Sequence, residues 1–195
     1  MNPIEELKTE HRAIESALAI LEKLSKKIHT PDATFAGADA ALLIDFFRTF
    51  ADACHHGKEE GFLFPELEKL GVSREGGPIG MMLSEHNLGR MHIQDMGNAI
   101  QEMTSGKKNA ANAFQSAAEA YIDLLRRHIF KEDNVLFEIA TNRLSRVRME
   151  GLAKDFERLE KEKIGRGRHE EYHALLDSLK EKYLLHHEPE ISEVT

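Results

Sequence analysis

Histidine and glutamate recur at the same spacing in two parts of this chain. Residues 55–64 and 128–137 both follow the pattern H-x-x-K-E-[ED]-x-x-L-F, and a Glu-His pair precedes each copy, at residues 10–11 and 85–86. The pairs lie 75 residues apart (10 to 85) and the longer segments 73 apart (55 to 128). A repeat at nearly constant offset predicts two similar helical hairpins. Because imidazole and carboxylate are metal ligands, the repeated residues predict a shared metal site.

The segments around these residues carry apolar side chains at helical spacing, and strand signals are nearly absent. The first of them has the inward stripe Ile4, Leu7, His11, Ile14, Leu18 and Leu21. We predict four long helices, from an N-cap at Asn2 to a stop at residues 30–32, from about 39 to 70, from about 79 to 105, and from about 109 to 142. Pro65 is expected to kink or interrupt the second helix.

The second helix offers two registers, because His55 and His56 are each followed four residues later by a glutamate, Glu59 and Glu60. The residues one to three turns before the two histidines differ in polarity: Ala51, Phe47 and Ile44 precede His55, whereas Asp52, Thr49 and Asp45 precede His56. The interior of a bundle favours the apolar set. We therefore predict that His55 and Glu59 point inward, and that the other pair does not.

These helices predict an all-α fold, with an up-down-up-down four-helix bundle over residues 1–145. The four histidines of the repeat stand about 17–19 residues from their connecting loops, which places them at nearly one level, about 26–28 Å along the bundle. Two further helices are predicted at about 144–164 and 169–185, with glycines at 165 and 167 between them. We expect residues 146–195 to form a C-terminal helical extension packed on the bundle, because so short a segment makes a poor independent domain.

The inward residues at this level form the predicted metal site: His11, His55, Glu59, His86, His128 and Glu132. Histidine and glutamate four residues apart share one helix face. If both carboxylates bridge, the set supplies about eight donors to two ions that need about twelve, and positions remain for solvent and an outside ligand. Imidazole and carboxylate without thiolate suit iron, with manganese as second choice, whereas structural zinc prefers four closed ligands. Histidines and glutamates that merely pack are the alternative, but buried carboxylates are costly when unpaired.

The repeated motif and its Glu-His pairs resemble the hemerythrin-like family of HHE cation-binding domains over about residues 1–145. The resemblance implies a four-helix bundle with a non-haem di-iron centre, held by the six residues above with both glutamates as candidate bridges. It departs at Arg90, because oxygen-carrying hemerythrins have a second histidine four residues after the one matching His86. The departure removes an imidazole from one iron and argues against simple reversible oxygen carriage. The candidates to replace that imidazole are His92, water, and His169 or His173.

Residues 169–173 also match H-E-x-x-H, the zinc-protease pattern in which two histidines hold zinc and the glutamate is the base. The charged Glu171 inside the motif and the lack of a predicted sheet argue against a protease. The alternative is a helix with its apolar side at Leu176, Leu179 and Tyr183. Four further residues are expected to stand apart from the site: Asp133 is rotated away from the donor position of Glu132, and His29 and the His186-His187 pair are exposed.

The composition limits the classes of function. The formal net charge is −8 with both signs interspersed and no basic patch, which argues against binding nucleic acid. No apolar run could span a membrane or act as a leader, so we expect no membrane partner and a cytoplasmic location. The one cysteine, Cys54, excludes an internal disulfide and a thiolate-rich metal site, and is expected to be a small buried residue.

The sequence therefore predicts a non-haem di-iron protein that binds or senses a diatomic ligand, oxygen or nitric oxide. The alternative is a redox or iron-donating, enzyme-like role that resembles the related iron–sulfur cluster repair proteins. Whether the protein is an enzyme, its redox partner and its oligomeric state are left open.

Overall fold

The computed structural model describes residues 2–29, 33–165 and 167–185. All regular structure in these ranges is helical, so the predicted all-α class is confirmed. The side chain of Asn2 accepts a hydrogen bond from the backbone N–H of Ile4, as expected of the N-cap. Thr30-Pro31-Asp32, expected to end the first helix, and the His186-His187 pair lie outside the described residues. No helix within the described ranges is both long and apolar enough to cross a bilayer.

The segments follow one another along the chain with short connections. The α-helices are α1 Pro3–Lys27, α2 Ala33–Phe46, α3 Phe64–Lys69, α4 Pro78–Thr104, α5 Ala110–Lys131, α6 Phe137–Arg143, α7 Arg146–Lys163 and α8 Arg168–Lys180. The π-helices are π1 Phe47–His56, π2 Glu59–Leu63, π3 Glu132–Leu136 and π4 Glu181–Leu185. Residues 33–69 and 110–143 are thus continuous helical runs that change from α to π and back. The first of these runs begins six residues before the predicted start at 39.

The π-helical segments π2 and π3 lie within the two copies of the repeated motif, and π1 ends at the first two residues of one copy. In π1 the N–H of Gly57 donates to the carbonyl of Asp52, and in π2 the N–H of Phe64 donates to that of Glu59, five residues back in both cases. Such turns hold one more residue than α turns and are often found at functional sites. Pro65 does not interrupt the run, and it is the second residue of α3, directly after the change from π2.

Two apolar clusters fill the interior on either side of one polar layer. In α1, Leu7 belongs to one cluster and Ile14 to the other, and His11 lies between them. The last long run repeats this order, with Leu125 in one cluster and Leu136 in the other. Apolar side chains therefore close the polar layer from both directions, and its polar atoms must find partners within the layer.

The C-terminal helices pack on the outside of α1. From α7, Phe156 joins the cluster that contains Leu7, and from α8, Tyr172 joins the cluster that contains Ile14. The hydroxyl of Tyr172 donates to Asp45 at 2.9 Å. These contacts bury one side of each helix against the rest of the chain.

The turn before α4 contains two close backbone approaches. A Cβ added to Gly77 would lie 2.4 Å from the carbonyl oxygen of Ser73, and one added to Gly80 would lie 2.0 Å from that of Arg74. No side chain fits at such distances without moving the backbone. The start of α4, the helix that carries His86, therefore depends on glycine at these positions.

Substituting Gly80→Ala is expected to lower the free energy of unfolding by about 1–3 kcal/mol, because the added methyl group overlaps a backbone oxygen. Gly151→Ala is the matched control, since its Cβ would meet nothing within 4 Å on the exposed face of α7. That change should raise stability by about 0.4–1 kcal/mol by restricting the unfolded chain. Denaturant unfolding followed by circular dichroism measures both, and equal stabilities of the two variants would contradict the proposed overlap.

Candidate metal centre

Seven buried side chains converge in the polar layer. Ligand atoms of His11, His55, Glu59 and Glu132 form one group, and those of His56, Glu59, His86 and His128 form a second, with all atoms of a group within 4.8 Å of one another. All six residues predicted from the sequence are thus brought together. The structure adds His56, which is only 4% exposed.

The two glutamates span both groups. Glu59 places one carboxylate oxygen 3.6 Å from Nε2 of His55 and the other 3.5 Å from Nε2 of His86. One oxygen of Glu132 lies 3.3 Å from Nε2 of His11 and 3.2 Å from Nε2 of His128, and its other oxygen lies 3.8 Å from Nε2 of His86. Each carboxylate therefore lies close to histidines of both groups.

All five imidazoles are held from behind in the same way, with Nδ1 donating to a carboxylate. The five bonds are His11 to Asp133 (2.7 Å), His55 to Glu10 (2.9 Å), His56 to Asp52 (3.2 Å), His86 to Glu60 (2.7 Å) and His128 to Glu85 (2.9 Å). An ionised carboxylate only accepts, so it assigns the proton to Nδ1 and leaves the lone pair of Nε2 facing the layer. Metal-binding histidines commonly have such an outer carboxylate, which sets the tautomer and the ring orientation.

Acceptors consequently face acceptors inside the layer. Within the described residues, six of the seven buried side-chain polar atoms that lack a hydrogen-bond partner belong to this cluster: Nε2 of His11 and of His55, and both oxygens of Glu59 and of Glu132. Nε2 of His86 and Nε2 of His128 also lie only 3.1 Å apart. Such an arrangement is stable only with positive charge between the acceptors, supplied by protons or by metal ions.

The pKa values of the buried glutamates and of His128 also show that the cluster requires positive charge. Burial, and then the charge of Glu132, raise the pKa of Glu59 well above its usual value. Burial alone would also raise the pKa of Glu132, but His128 and hydrogen bonds from neighbouring histidines hold it well below normal. For His128, burial lowers the pKa, yet the charge of Glu132 outweighs it and raises the pKa to about 9. Without metal the cluster must hold protons, which cations would displace.

Basic side chains pair with the outer carboxylates. The pairs are Lys58 with Glu10, Lys131 with Glu85, Arg12 with Asp133, and Arg90 with both Asp52 and Glu60. Lys58 is fully buried; burial lowers its pKa, but the charge of Glu10 outweighs this and raises the pKa above its normal value. Each imidazole is thus fixed by a carboxylate and each carboxylate by a cation. These pairings hold the ring directions before any metal binds.

The repeated motif accounts for most of these contacts, because its two copies exchange them. The sixth residue of each copy orients a histidine of the opposite pair: Glu60 bonds to His86, and Asp133 bonds to His11. The closing phenylalanines follow the same exchange. Phe64 stacks on His86 with 5.9 Å between ring centroids, and Phe137 stacks on His11 with 5.2 Å. The spacing that identified the repeat is therefore the spacing of an interlocked site.

His56 is the site residue that the sequence analysis missed. We expected it to point away from the interior, because it follows polar residues at α-helical spacing, but it lies at the end of π1 beside His55, and both are buried. Its ring stacks on that of His86, with 3.8 Å between centroids. The polar residue Asp52, which argued against this register, is the carboxylate that orients it. The adjacent His-His pair was the available signal, since the second copy has Ile129 at the corresponding position.

Arg90 binds two of the outer carboxylates. Its guanidinium donates to Asp52 at 2.8 Å and to Glu60 at 2.7 Å. Burial raises the pKa of Asp52, but the hydrogen bonds from His56 and Arg90 outweigh this and lower it to about 2. Arg90 thus supports both imidazoles of the stacked pair, His56 through Asp52 and His86 through Glu60.

The other candidates lie outside the cluster. His92 is half-buried on α4, and His169 and His173 lie on α8 beside a separate cavity. Asp133 orients His11 from behind. A third acidic group, Glu6, Glu10 and Glu160, surrounds the ammonium group of Lys58. Cys54 is buried as predicted, and burial raises the pKa of its thiol to about 12.

Helices without strands in the described ranges, and a buried cluster of histidines and glutamates, define an all-helical protein with a candidate cation site. The sequence profile of the hemerythrin HHE cation-binding domain matches residues 2–140. The chain belongs to this family.

Relatives are distant. An uncharacterised protein of Mycobacterium tuberculosis is 25% identical over 163 residues, which are 83% of this chain and 62% of that protein. The iron-sulfur cluster repair protein YtfE of Yersinia pseudotuberculosis is 27% identical over 129 residues, which are 65% of this chain and 58% of that protein. The chain therefore spans about three fifths of the length of these relatives. No solved structure matches it significantly.

Arg90→Ala is expected to weaken the binding of ferrous iron by about 10–100-fold, the usual cost of losing an outer partner of a metal ligand. Arg90→Lys should fall between this variant and the unmodified chain, because an ammonium group cannot copy the forked contact with Asp52 and Glu60. Anaerobic competition against a chelator measures the affinity. Arg127→Ala removes an exposed arginine paired with Asp123 and is the control. Unchanged affinity in Arg90→Ala would show that Arg90 does not support the site.

Proposed function

We propose that this cluster binds two iron ions, with Glu59 and Glu132 bridging them. In this proposal His56, His86 and His128 belong to one ion, and His11 and His55 to the other. The proposal includes the predicted up-down-up-down arrangement of the four long helical runs, which would bring residues from different runs to one level. The cytoplasmic location also remains a prediction, and the redox partner is not identified.

The observation that carries the proposal is the set of buried acceptors without donors. Both carboxylates, and Nε2 of His11 and of His55, have no hydrogen-bond partner in a layer closed by apolar clusters. Side chains that merely pack would be expected to pair donors with acceptors. Here each Nδ1 bonds outward to a carboxylate, and the inward oxygens and Nε2 atoms lack enough donors to pair with. The donor set therefore fits metal cations and does not favour the packing alternative.

The donor types favour iron. Imidazole and carboxylate without thiolate suit iron, with manganese as second choice. Four-coordinate structural zinc would use about half of these donors and leave buried carboxylate oxygens unpaired. If each glutamate gives one oxygen to each ion and solvent bridges the two, the three-histidine ion has about six ligands and the two-histidine ion about five. His56 would thus supply the imidazole missing at position 90, and an open coordination position would remain beside His11 and His55.

Iron at this opening would supply a coordination position for a diatomic ligand, oxygen or nitric oxide. The chain's own residues would exclude water and hold the imidazoles still. Phe137 covers the ring of His11, and Glu10 with Lys58 anchors His55 from behind. We propose binding or sensing of such a ligand as the function. Manganese in place of iron is the second choice of metal.

A redox or iron-donating role is the second candidate function. It is favoured by the similarity to the iron-sulfur cluster repair protein YtfE, which covers 65% of this chain. The two candidates share the metal site and differ in whether iron stays in it. The retention of iron after exposure to the ligand therefore distinguishes them.

Replacing both Glu59 and Glu132 by Gln should abolish iron binding, because the bridging charges are lost while the size of the side chains is kept. The unmodified chain, purified without chelator or affinity metal and incubated anaerobically with ferrous iron, should hold about two iron ions. Elemental analysis measures both proteins. Glu171→Gln, on the exposed side of α8, is the matched control and should load fully. A fully loaded double variant would overturn the bridging assignment.

Oxygen added to the reduced, iron-loaded protein should produce a visible absorption band that disappears on deoxygenation, and nitric oxide should produce a separate spectrum. The double glutamine variant should produce neither. Iron captured by a ferrous chelator during the same titration reports whether the metal stays bound. Irreversible oxidation with release of iron would contradict reversible ligand binding and support the iron-donating role.

A further inference from the structure

Exposed apolar side chains are concentrated on the outer face formed by α4 and α5. Of the nine large apolar side chains that are exposed in the described ranges, five lie on α4 or on the helical run that contains α5: Met81, Leu88, Met91, Phe130 and Val135. The C-terminal helices pack on α1 instead, and none of their residues lines the three hollows along the seam between α4 and α5. Apolar side chains grouped in this way mark an interaction surface.

One end of this face carries an acidic hollow of about 390 Å³, between the second half of α4 and the first half of α5. Its α4 wall includes Asp95 and Glu102. Asp95 is exposed and has no ion pair among the described residues. The α5 wall consists of small side chains, those of Ala113, Ser116, Ala117 and Ala120. The hollow therefore has space for a bulky side chain and a free carboxylate beside it.

The other end of the face carries a bulky side chain with basic neighbours. Phe130 is 67% exposed, and Arg126, Arg127 and Lys131 line a second hollow with it. Each of these cations pairs with a carboxylate of its own chain, and the pair of Arg127 with Asp123 is the most exposed, at 69% for both side chains. A guanidinium group has five N–H donors, so Arg127 can bind a further carboxylate. This end is thus complementary to the acidic hollow in shape and charge.

The spacing of the two ends allows two copies of the face to fit each other. Phe130 lies about 20 Å along α5 from Ala117, in the middle of the α5 wall of the hollow. A two-fold axis midway between them, across the helices, would place Phe130 of each copy over Ala117 of the other. The same axis would place Arg127 over Ala120, which lines the hollow together with Asp95. Both contacts are therefore satisfied by one symmetric arrangement.

The face is also large enough for a stable contact. α4 has 27 residues, which makes it about 40 Å long. Two neighbouring helices are about 20 Å wide, so the face measures about 800 Å². Each partner of a stable interface of standard size buries about the same area.

We propose that this face binds a second copy of the chain in an antiparallel, two-fold symmetric dimer. Phe130 of each copy enters the acidic hollow of the other, and Arg127 pairs with Asp95 across the contact. The proposal does not depend on the function proposed for the metal centre. It does concern the support of that centre, because Glu85, the carboxylate that orients His128, lines the same hollow as Phe130. The dimer would shield this carboxylate from water.

Sedimentation velocity of the untagged full chain over a range of concentrations measures the association. A particle of twice the chain's 22.1 kDa should predominate at about 10 μM. Phe130→Ala should weaken the dimer by at least about tenfold, because a buried aromatic anchor is lost from both copies. Val147→Ala, which shortens a side chain 76% exposed on α7, is the matched control and should leave association unchanged. Circular dichroism and iron content check that each variant is folded.

Reversal of the charges tests the pairing. Asp95→Arg and Arg127→Asp should each weaken association, because like charges then meet across the contact. The double variant should associate more tightly than either single variant, since the pair is formed again with its signs exchanged. Asp177→Arg, on α8 with a side chain 75% exposed, is the control and should have no effect.

Three results would overturn the proposal. The first is a chain that stays monomeric at every concentration. The second is a dimer that Phe130→Ala and Asp95→Arg leave as tight as before, since another face would then form it. The third is a double variant no tighter than the single variants, which would exclude the pairing of Arg127 with Asp95.

Discussion

Two glutamates buried face to face impose the constraint on which the rest of the structure depends. Glu59 and Glu132 are fully buried and span the same small space between apolar clusters. Two carboxylates buried side by side cannot both ionise unless positive charge lies between them. Each surrounding imidazole therefore turns its Nε2 lone pair inward and donates its Nδ1 proton outward. The cluster is arranged around positive charge, which protons or metal ions must supply.

The outer contacts explain why so many charged residues are buried or half-buried near one layer. Every inward imidazole needs a carboxylate behind it, and that carboxylate in turn needs a basic partner, because a charge left unpaired in this environment is costly. Lys58 shows how far this extends. It is fully buried and binds Glu6, Glu10 and Glu160, so it joins α1, the first copy of the motif and the C-terminal helix α7. The ion pair with Glu160 thereby connects α7 to the residues that support the candidate metal centre, in addition to its apolar packing.

Helix geometry is adjusted at the points where the site needs it. Both copies of the motif change to π-helical turns at their glutamates, Glu59 and Glu132. A further π-helical segment leads into the first copy and ends with His55 and His56. Adjacent side chains of a π-helix are separated by a smaller angle than those of an α-helix, and His55 and His56 at the end of π1 are both buried. The two copies therefore differ where the site is asymmetric, with His56 in one and Ile129 in the other. The proposed opening lies on the side with fewer imidazoles.

The sequence by itself determined the helical class, the polar layer and six of the seven residues in it, because helical periodicity and the internal repeat are local properties of the chain. Only the tertiary structure decided that His56 also faces inward, since the choice between α and π hydrogen bonding depends on packing and not on local propensity. It also decided which carboxylate supports which imidazole, because pairs such as Glu10 with His55 join different helices. Arg90 illustrates both what the sequence determined and what only the tertiary structure decided. Its identity revealed a missing imidazole, but its contacts with Asp52 and Glu60 emerged only from the fold.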